Sequence, residues 1–318
     1  MVMNNKPKTK KIEADADYTD ITTGEVIKGE ELINRLEKIK TDKQKEKEEE
    51  VKEREKSKHY ITTHLGNFYF LIYGRLIELD KENNIIKGLE DYEARFMVRY
   101  LRLCCEMDYD SGVLVKATEG KIKMPLKKRE IQAVIDVGDV ELSRTLSYLK
   151  KENLITEEEG VFKINNLYSS KGKLNIKPNE ALDLGVIRVF LHGYRYVYDN
   201  MNSRQRITLY NLIKLIPLIN IDYNIICHNP LETEYYKIKP LSTMEIRKIF
   251  TNDNKTSKKI LDDFIKFSIA GRGILMLTKS NGGEKYIFNP ALMYGGNVKE
   301  KLEVIEKLMN NKYSANIE

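Results

Sequence analysis

MPLKKREIQAVI (Met124–Ile135) and KPLSTMEIRKIF (Lys239–Phe250) open alike: Pro-Leu, three free positions, Glu-Ile, then a short mixed run. In both, apolar residues fall at helical spacing after the proline, so each reads as a short helix with one buried face. Working outward, the likeness continues in order. LGNFYFLIYG (Leu65–Gly74) precedes the first stretch and LGVIRVFLHG (Leu184–Gly193) the second. RFMVRYLRL (Arg95–Leu103) answers RITLYNLIKL (Arg206–Leu215), and Asp108-Tyr109 answers Asp222-Tyr223. Leu142, Leu146 and Leu149 fall opposite Ser257, Leu261 and Phe264. Five matches in one order predict an internal duplication over residues 64–168 and 183–292.

Each copy carries a recurring plan. Leu65–Gly74 and Leu184–Gly193 read as apolar helices, and Arg95–Leu103 as a second helix. SGVLVKA (Ser111–Ala117) reads as a short strand before a turn at Glu119-Gly120. Leu126, Ile131, Val134 and Ile135 are the buried face of a short helix, and Val137-Gly138-Asp139 is a turn. DVELSRTLSYLKKENL (Asp139–Leu154) is an amphipathic helix, followed by a hairpin turning at Glu157–Gly160. The second copy repeats this with a turn at Thr251–Asn254 and a helix burying Ile260, Leu261, Phe264 and Ile265. A hairpin follows around Ser280-Asn281-Gly282-Gly283. Helix, strand, helix, turn, helix, hairpin is the order of a winged helix-turn-helix, whose second short helix is held outward to enter a major groove. The expected fold is mainly α with small β-hairpins (α+β): tandem winged helix-turn-helix domains related by internal duplication.

The chain has 318 residues, which suits two domains with a polar attachment. The expected division is 1–58 as tail, TGE segment and charged helical spacer; 59–175 and 176–298 as the two winged-helix domains; and 299–318 as a C-terminal helix and tail. YTDITTGEVIKGEEL (Tyr18–Leu32) suggests a small hairpin turning at Thr23-Gly24. The spacer RLEKIKTDKQKEKEEEVKEREKSK (Arg35–Lys58) lacks sustained apolar heptads and reads as a solvated helix or flexible spacer rather than a coiled coil.

Candidate DNA contacts follow from the plan. In the first copy they are Lys127, Lys128 and Arg129 at the start of the supporting helix, and Ser143, Arg144, Ser147, Tyr148 and Lys151 on the outer face of the recognition helix. The first hairpin, TEEEG, would be repelled by phosphate. In the second copy they are Thr256, Lys258, Lys259 and Lys266, with Arg272, Lys279 and Lys285 on the hairpin and its flanks; Asp262 and Asp263 share that helix. Lysines and small polar residues of this kind position a protein on phosphates. A net charge of +6 permits a polyanionic partner without demanding one. Tyr194, Tyr196 and Tyr198 alternate within a helical pattern and read as packing rather than base-stacking groups.

Catalysis finds no support. There is no phosphate-cradling GxxxxGK[ST] loop, no paired histidines with metal-ligand spacing, and no carboxylate cluster. Cys104, Cys105 and Cys227 read as small buried side chains in a reducing compartment, and Cys227-His228 as a loop detail. No cofactor, metal or enzyme activity is expected. The absence of a long apolar run or a signal-like N-terminus points to a cytoplasmic protein without membrane association.

Three stretches carry a family resemblance: TTGEVIKGEEL (Thr22–Leu32), LGNFYFLIYG, and FNPALMYGGN (Phe288–Asn297). Together they resemble the plasmid replication initiators of Gram-positive bacteria of the RepL type, which are similar to one copy of the repeat. The resemblance implies a bacterial protein, sequence-specific binding to an origin in double-stranded DNA and recruitment of host replication proteins. Competing readings are a transcriptional repressor at an operator or a partition-site binder, and a winged-helix module that binds protein. The two copies are expected to form a pseudo-dimer within one chain; a homodimer is the alternative.

Overall fold

The computed structural model describes residues 16–19, 26–76, 78–80, 85–87, 91–117, 123–172, 174, 185–269, 271–280 and 283–310. The turns expected at Thr23-Gly24 and Glu119-Gly120 lie outside them, as do Asn281-Gly282 and most of the N-terminal tail. The chain is mixed α and β, with helices and several small antiparallel two-stranded sheets. It divides into compact units of residues 1–57 and 58–318.

In the first unit, β1 (Asp17–Thr19) pairs antiparallel with β2 (Val26–Lys28). Helix α1 (Gly29–Leu65) follows at once. Its residues up to Ser57 are strong helix formers, nearly all exposed, and are laced by pairs such as Arg35–Glu31 at 2.8 Å.

The second unit starts on the last turns of α1. Ile61 is buried there among Phe190, Tyr294, Leu302, Ile305 and Met309, the last three from α10 (Lys299–Asn310). The centre of the unit is a four-stranded antiparallel sheet. β3 (Phe68–Ile72) and β11 (Val186–Phe190) lie side by side in the middle, with Phe70 opposite Arg188. β10 (Ser169–Ser170) flanks β3, and β16 (Met293–Tyr294) flanks β11. These central strands correct the expectation of helices at Leu65–Gly74 and Leu184–Gly193. Each strand is only five residues long, is bounded by Gly66 or Gly185 at positive φ, and is rich in aromatic and β-branched residues, with Arg188 the one polar residue in the second. Over the first four positions of each strand half-buried and buried residues alternate, yet the half-buried ones are apolar too except Arg188, so hydropathy alone cannot separate these strands from a buried helix. The helical part of the second run begins only at α5 (Leu191–Asn200).

After β3 comes a first package. Helix α2 (Asp91–Cys104) is the central support. β6 (Val115–Ala117) pairs with β7 (Lys123–Pro125) and leads into α3 (Lys128–Ile135) and α4 (Asp139–Lys151). The hairpin β8 (Ile155–Glu158) and β9 (Val161–Ile164) closes it. After β11 and α5 comes a second package. Helices α6 (Ser203–Thr208) and α7 (Tyr210–Leu215) stand where α2 stood in the first. α8 (Thr243–Phe250) and α9 (Asn254–Lys266) follow, then the hairpin β14 (Leu275–Ser280) and β15 (Gly283–Phe288).

The packages repeat individual backbone hydrogen bonds. Leu114 N–H donates to Phe162 C=O at 2.9 Å, and Ile226 N–H to Tyr286 C=O at 2.9 Å. Ile164 donates to Gly112 and Phe288 to Asn224, both at 2.8 Å. Leu126 donates to Leu114 at 2.8 Å and Leu241 to Ile226 at 3.0 Å. Asp108 donates to Val113 as Asn220 does to Ile225, both at 2.8 Å. The last pair sets Asp108 against Asn220, two positions from the Asp222 chosen by letter matching. Asparagines end both hairpins in the same way. The Asn165 side-chain amide donates to Asn153 C=O and its carbonyl accepts from Leu167 N–H; Asn289 does the same with Gly273 and Ala291.

One apolar core runs through both packages, from Leu101, Ile131 and Leu146 to Ile246, Leu261 and Phe264. Tyr194 and Tyr198 of α5 are buried within it, and their hydroxyls donate to Val98 C=O (3.1 Å) and Ile135 C=O (2.7 Å); Tyr196 is exposed. Gly193 lets α5 approach the Ala291-Leu292 turn, where a Cβ would stand 2.0 Å from Ala291 C=O. All three cysteines are free and buried. Burial drives the Cys105 and Cys227 thiols up to about 12.

Candidate nucleic-acid interface

In the first package, Gly138 starts α4 with no side-chain cap. Leu142, Thr145, Leu146 and Leu149 face inward, which the 3.6-residue period turns into an outward row of Ser143, Arg144, Ser147 and Lys151. Lys127, Lys128 and Arg129 are exposed at the head of α3, where the Glu130 carboxylate accepts from Lys127 N–H at 2.9 Å. Tyr148 is half-buried and stacks on Phe96 with ring centres 4.6 Å apart. Burial, then Glu93 and Glu152, push its hydroxyl up to about 12. It is therefore chiefly a packing group.

The cations of α4 and the hairpin face acids of the same package, whereas Lys127, Lys128 and Arg129 join no ion pair among the described residues. Arg144 meets Glu141 at 3.1 Å, and Glu141 also receives Arg99 at 2.9 Å and Arg95 at 3.4 Å. The Arg99 hydrogen bond is the leading reason why the Glu141 carboxyl sits below the usual range, followed by Arg144 and the charge of Arg95. On the hairpin, Lys150 meets Glu157 at 2.8 Å and Lys163 meets Glu158 at 2.9 Å, while Lys151 lies 3.8 Å from Glu152.

The second package is arranged differently. Ser242 caps α8: its Oγ accepts from Glu245 N–H at 3.3 Å, and the Glu245 carboxylate accepts from Ser242 N–H at 2.7 Å. Asp253 caps α9 by accepting from Thr256 N–H at 2.7 Å. Ser257, Ile260, Leu261 and Phe264 face inward. Thr256, Lys258, Lys259 and Lys266 are exposed, together with Lys255. None of these four lysines joins an ion pair among the described residues. Asp262 and Asp263 are half-buried; Asp262, four residues after Lys258 and four before Lys266, falls on the same face as the lysines. Lys255 was missed by the sequence reading; its signal was its place three and four residues before Lys258 and Lys259, on one face of the helix.

The hairpin residues divide. Lys279 is exposed and meets Glu284 at 3.2 Å. Arg272 is half-buried on the short β13 (Arg272–Gly273). Lys285 points inward: it is buried, with its ammonium 4.3 Å from the Tyr235 ring centre. The structure thus gathers Lys255, Thr256, Lys258, Lys259 and Lys266 on one helix and leaves Lys285 away from that face.

A cleft of about 320 Å³ lies between the α3–α4 turn and helices α2, α5 and α6. Arg206 crosses it to Asp136 at 2.7 Å, which ties the first package's turn to the second package. Among the described residues no group of three or more His, Cys, Asp or Glu is placed to hold a metal ion, and no helix is long and apolar enough to cross a membrane. No protein-family model, curated protein or solved structure matches the chain.

Proposed function

We propose that residues 58–318 form a sequence-specific double-stranded DNA-binding protein built from two winged helix-turn-helix heads, the products of an internal duplication. α3–α4 and α8–α9 are the helix-turn-helix pairs, and β8–β9 and β14–β15 are the wings. The repeated hydrogen bonds support the duplication. The observation that carries the DNA reading is the row of exposed lysines on α9, none of them in an ion pair among the described residues, on the helix that this plan presents to a major groove. Lys255, Lys258, Lys259 and Lys266 contact phosphates, and Thr256 stands at the helix start where base edges come within reach.

Replication initiation at a plasmid or phage origin is the role we favour over repression or partition, on the RepL-like stretches. The test is twofold. Purified protein should bind the duplex upstream of its own gene, with affinity falling steeply as salt rises. That DNA should replicate autonomously only when the gene is intact. Binding without autonomous replication assigns the protein to repression or partition.

The first head favours a second use. Glu157, Glu158 and Glu159 on its wing, and the pairing of Arg144 and Lys150 with acids, suit contact with a basic protein surface, such as a host replication protein. If reversing charge on both recognition helices leaves DNA affinity unchanged, protein binding is the whole function.

A further inference from the structure

We infer that a single chain places its two heads on DNA in opposite orientations, so that its target is one duplex element made of two inverted, non-identical half-sites. This rests on the DNA-binding reading above and specifies its ligand.

The central sheet carries the argument. β3 and β11 are antiparallel, and their bonds are reciprocal about the Phe70–Arg188 pair. Tyr73 N–H donates to Gly185 C=O at 3.0 Å, and Leu191 N–H donates to Asn67 C=O at 2.9 Å. Such a pair has a local two-fold axis normal to the sheet. The flanks obey the same axis. β10 meets β3 with Ser169 opposite Leu71, and β16 meets β11 with Met293 opposite Val189. Ile72 N–H donates to Tyr168 C=O at 2.9 Å, and Phe190 N–H to Leu292 C=O at 3.0 Å. Each head is therefore joined to its central strand in the same way. Each is also built on the same internal bonds, from Leu114–Phe162 in one to Ile226–Tyr286 in the other. Two like bodies fixed alike to two-fold-related strands are themselves two-fold related.

DNA translates that symmetry. Duplex DNA has two-fold axes across its own axis, so heads related by a dyad meet half-sites of opposite polarity, whereas heads related by translation meet direct repeats. A symmetric homodimer would demand a palindrome of identical halves. Here the outward residues differ: Ser143, Arg144 and Ser147 on one helix, Lys258 and Lys259 on the other. The halves are inverted in geometry without sharing a base sequence, so inspection of DNA for a palindrome would miss the site. The ion pair from Arg206 to Asp136 and the shared core hold the heads in this relation.

The experiment uses the full chain on a duplex selected from a randomised pool. Single cysteines are placed at structurally matched positions, Val140→Cys and Lys255→Cys at the starts of the recognition helices, and Lys151→Cys and Lys266→Cys at their ends. Each carries a DNA-cleaving iron chelate; the native thiols are buried and raised, which keeps them out of the labelling. The expected cuts are mirrored, with the two starts inside and the two ends outside, or the reverse, on a complex whose mass is one chain per duplex. Inserting about five base pairs, half a helical turn, between the two cut clusters should weaken binding at least about tenfold. Cuts in the order 140, 151, 255, 266, cuts from one head only, or two chains per duplex each overturn the inference while leaving DNA binding intact. A pool from which no duplex is retained even at low salt overturns the DNA-binding reading itself.

Discussion

The two packages share a scaffold and differ in how the cations of their second short helices, α4 and α9, are paired. In the first, Arg144 is held by Glu141, Lys150 by Glu157 and Lys163 by Glu158. In the second, four lysines of α9 stand exposed without an acidic partner among the described residues. The scaffold bonds, by contrast, recur to within a few tenths of an ångström. Shared packing under different surfaces is what the proposed duplication would leave if one copy served as anchor and the other made a different contact.

The largest effect should come from the surface. Lys258→Glu with Lys259→Glu should weaken duplex binding about a hundredfold, about 2.7 kcal/mol, at moderate salt. Arg144→Glu with Lys151→Glu should cost under about tenfold, because Arg144 and Lys151 already face acids. Parallel titrations of one labelled duplex decide this, and equal losses would dissolve the distinction between the heads.

Next is the scaffold. Asn289→Ala removes two hydrogen bonds from a fully buried side chain and should cost about 2–3 kcal/mol of stability in denaturant titration. Asn165→Ala removes the matching pair at a half-exposed site, where water substitutes, and should cost about 1 kcal/mol. The reverse ranking would show that the matched bonds do not play matched parts.

Smaller still is the wing. Glu157→Gln with Glu158→Gln should strengthen binding about threefold at low salt and have no effect at high salt, read by the same titration. The smallest effect is electrostatic. The Glu141 carboxyl titrates lower when folded than unfolded, so its contribution is present above the ordinary carboxylate range near about 4.3 and is lost as pH falls through its lower folded value. Glu141→Gln should flatten the acid limb of the stability–pH curve; an unchanged limb would mean the arginines do not hold it.

Much of this was legible in the residues. Leu142, Leu146 and Leu149, and Ile260, Leu261 and Phe264, announced the two buried helix faces through their spacing, and Asn-Gly-Gly announced the second hairpin. The central strands were not legible, because the half-buried positions of Phe68–Ile72 and Val186–Phe190 carry apolar side chains like the buried ones, Arg188 excepted, and so hide the two-residue alternation. Lys285 was misjudged for a related reason: in a hairpin, neighbouring residues face opposite ways, and only the register of Lys285 with Thr278 turns it toward Tyr235. Charge pairing across the turns, as in Lys150–Glu157, also depends on three-dimensional proximity. The sequence therefore offered candidate phosphate contacts in both copies and favoured the second only through the acidic TEEEG hairpin of the first.

The most direct measurement of the central claim is the salt slope of duplex binding, taken for the intact chain and for Lys258→Glu with Lys259→Glu. If α9 anchors the protein on DNA, the slope of log K against log salt should shrink by about one for each lysine lost, about two in all. An unchanged slope would contradict the claim, whatever happened to the affinity.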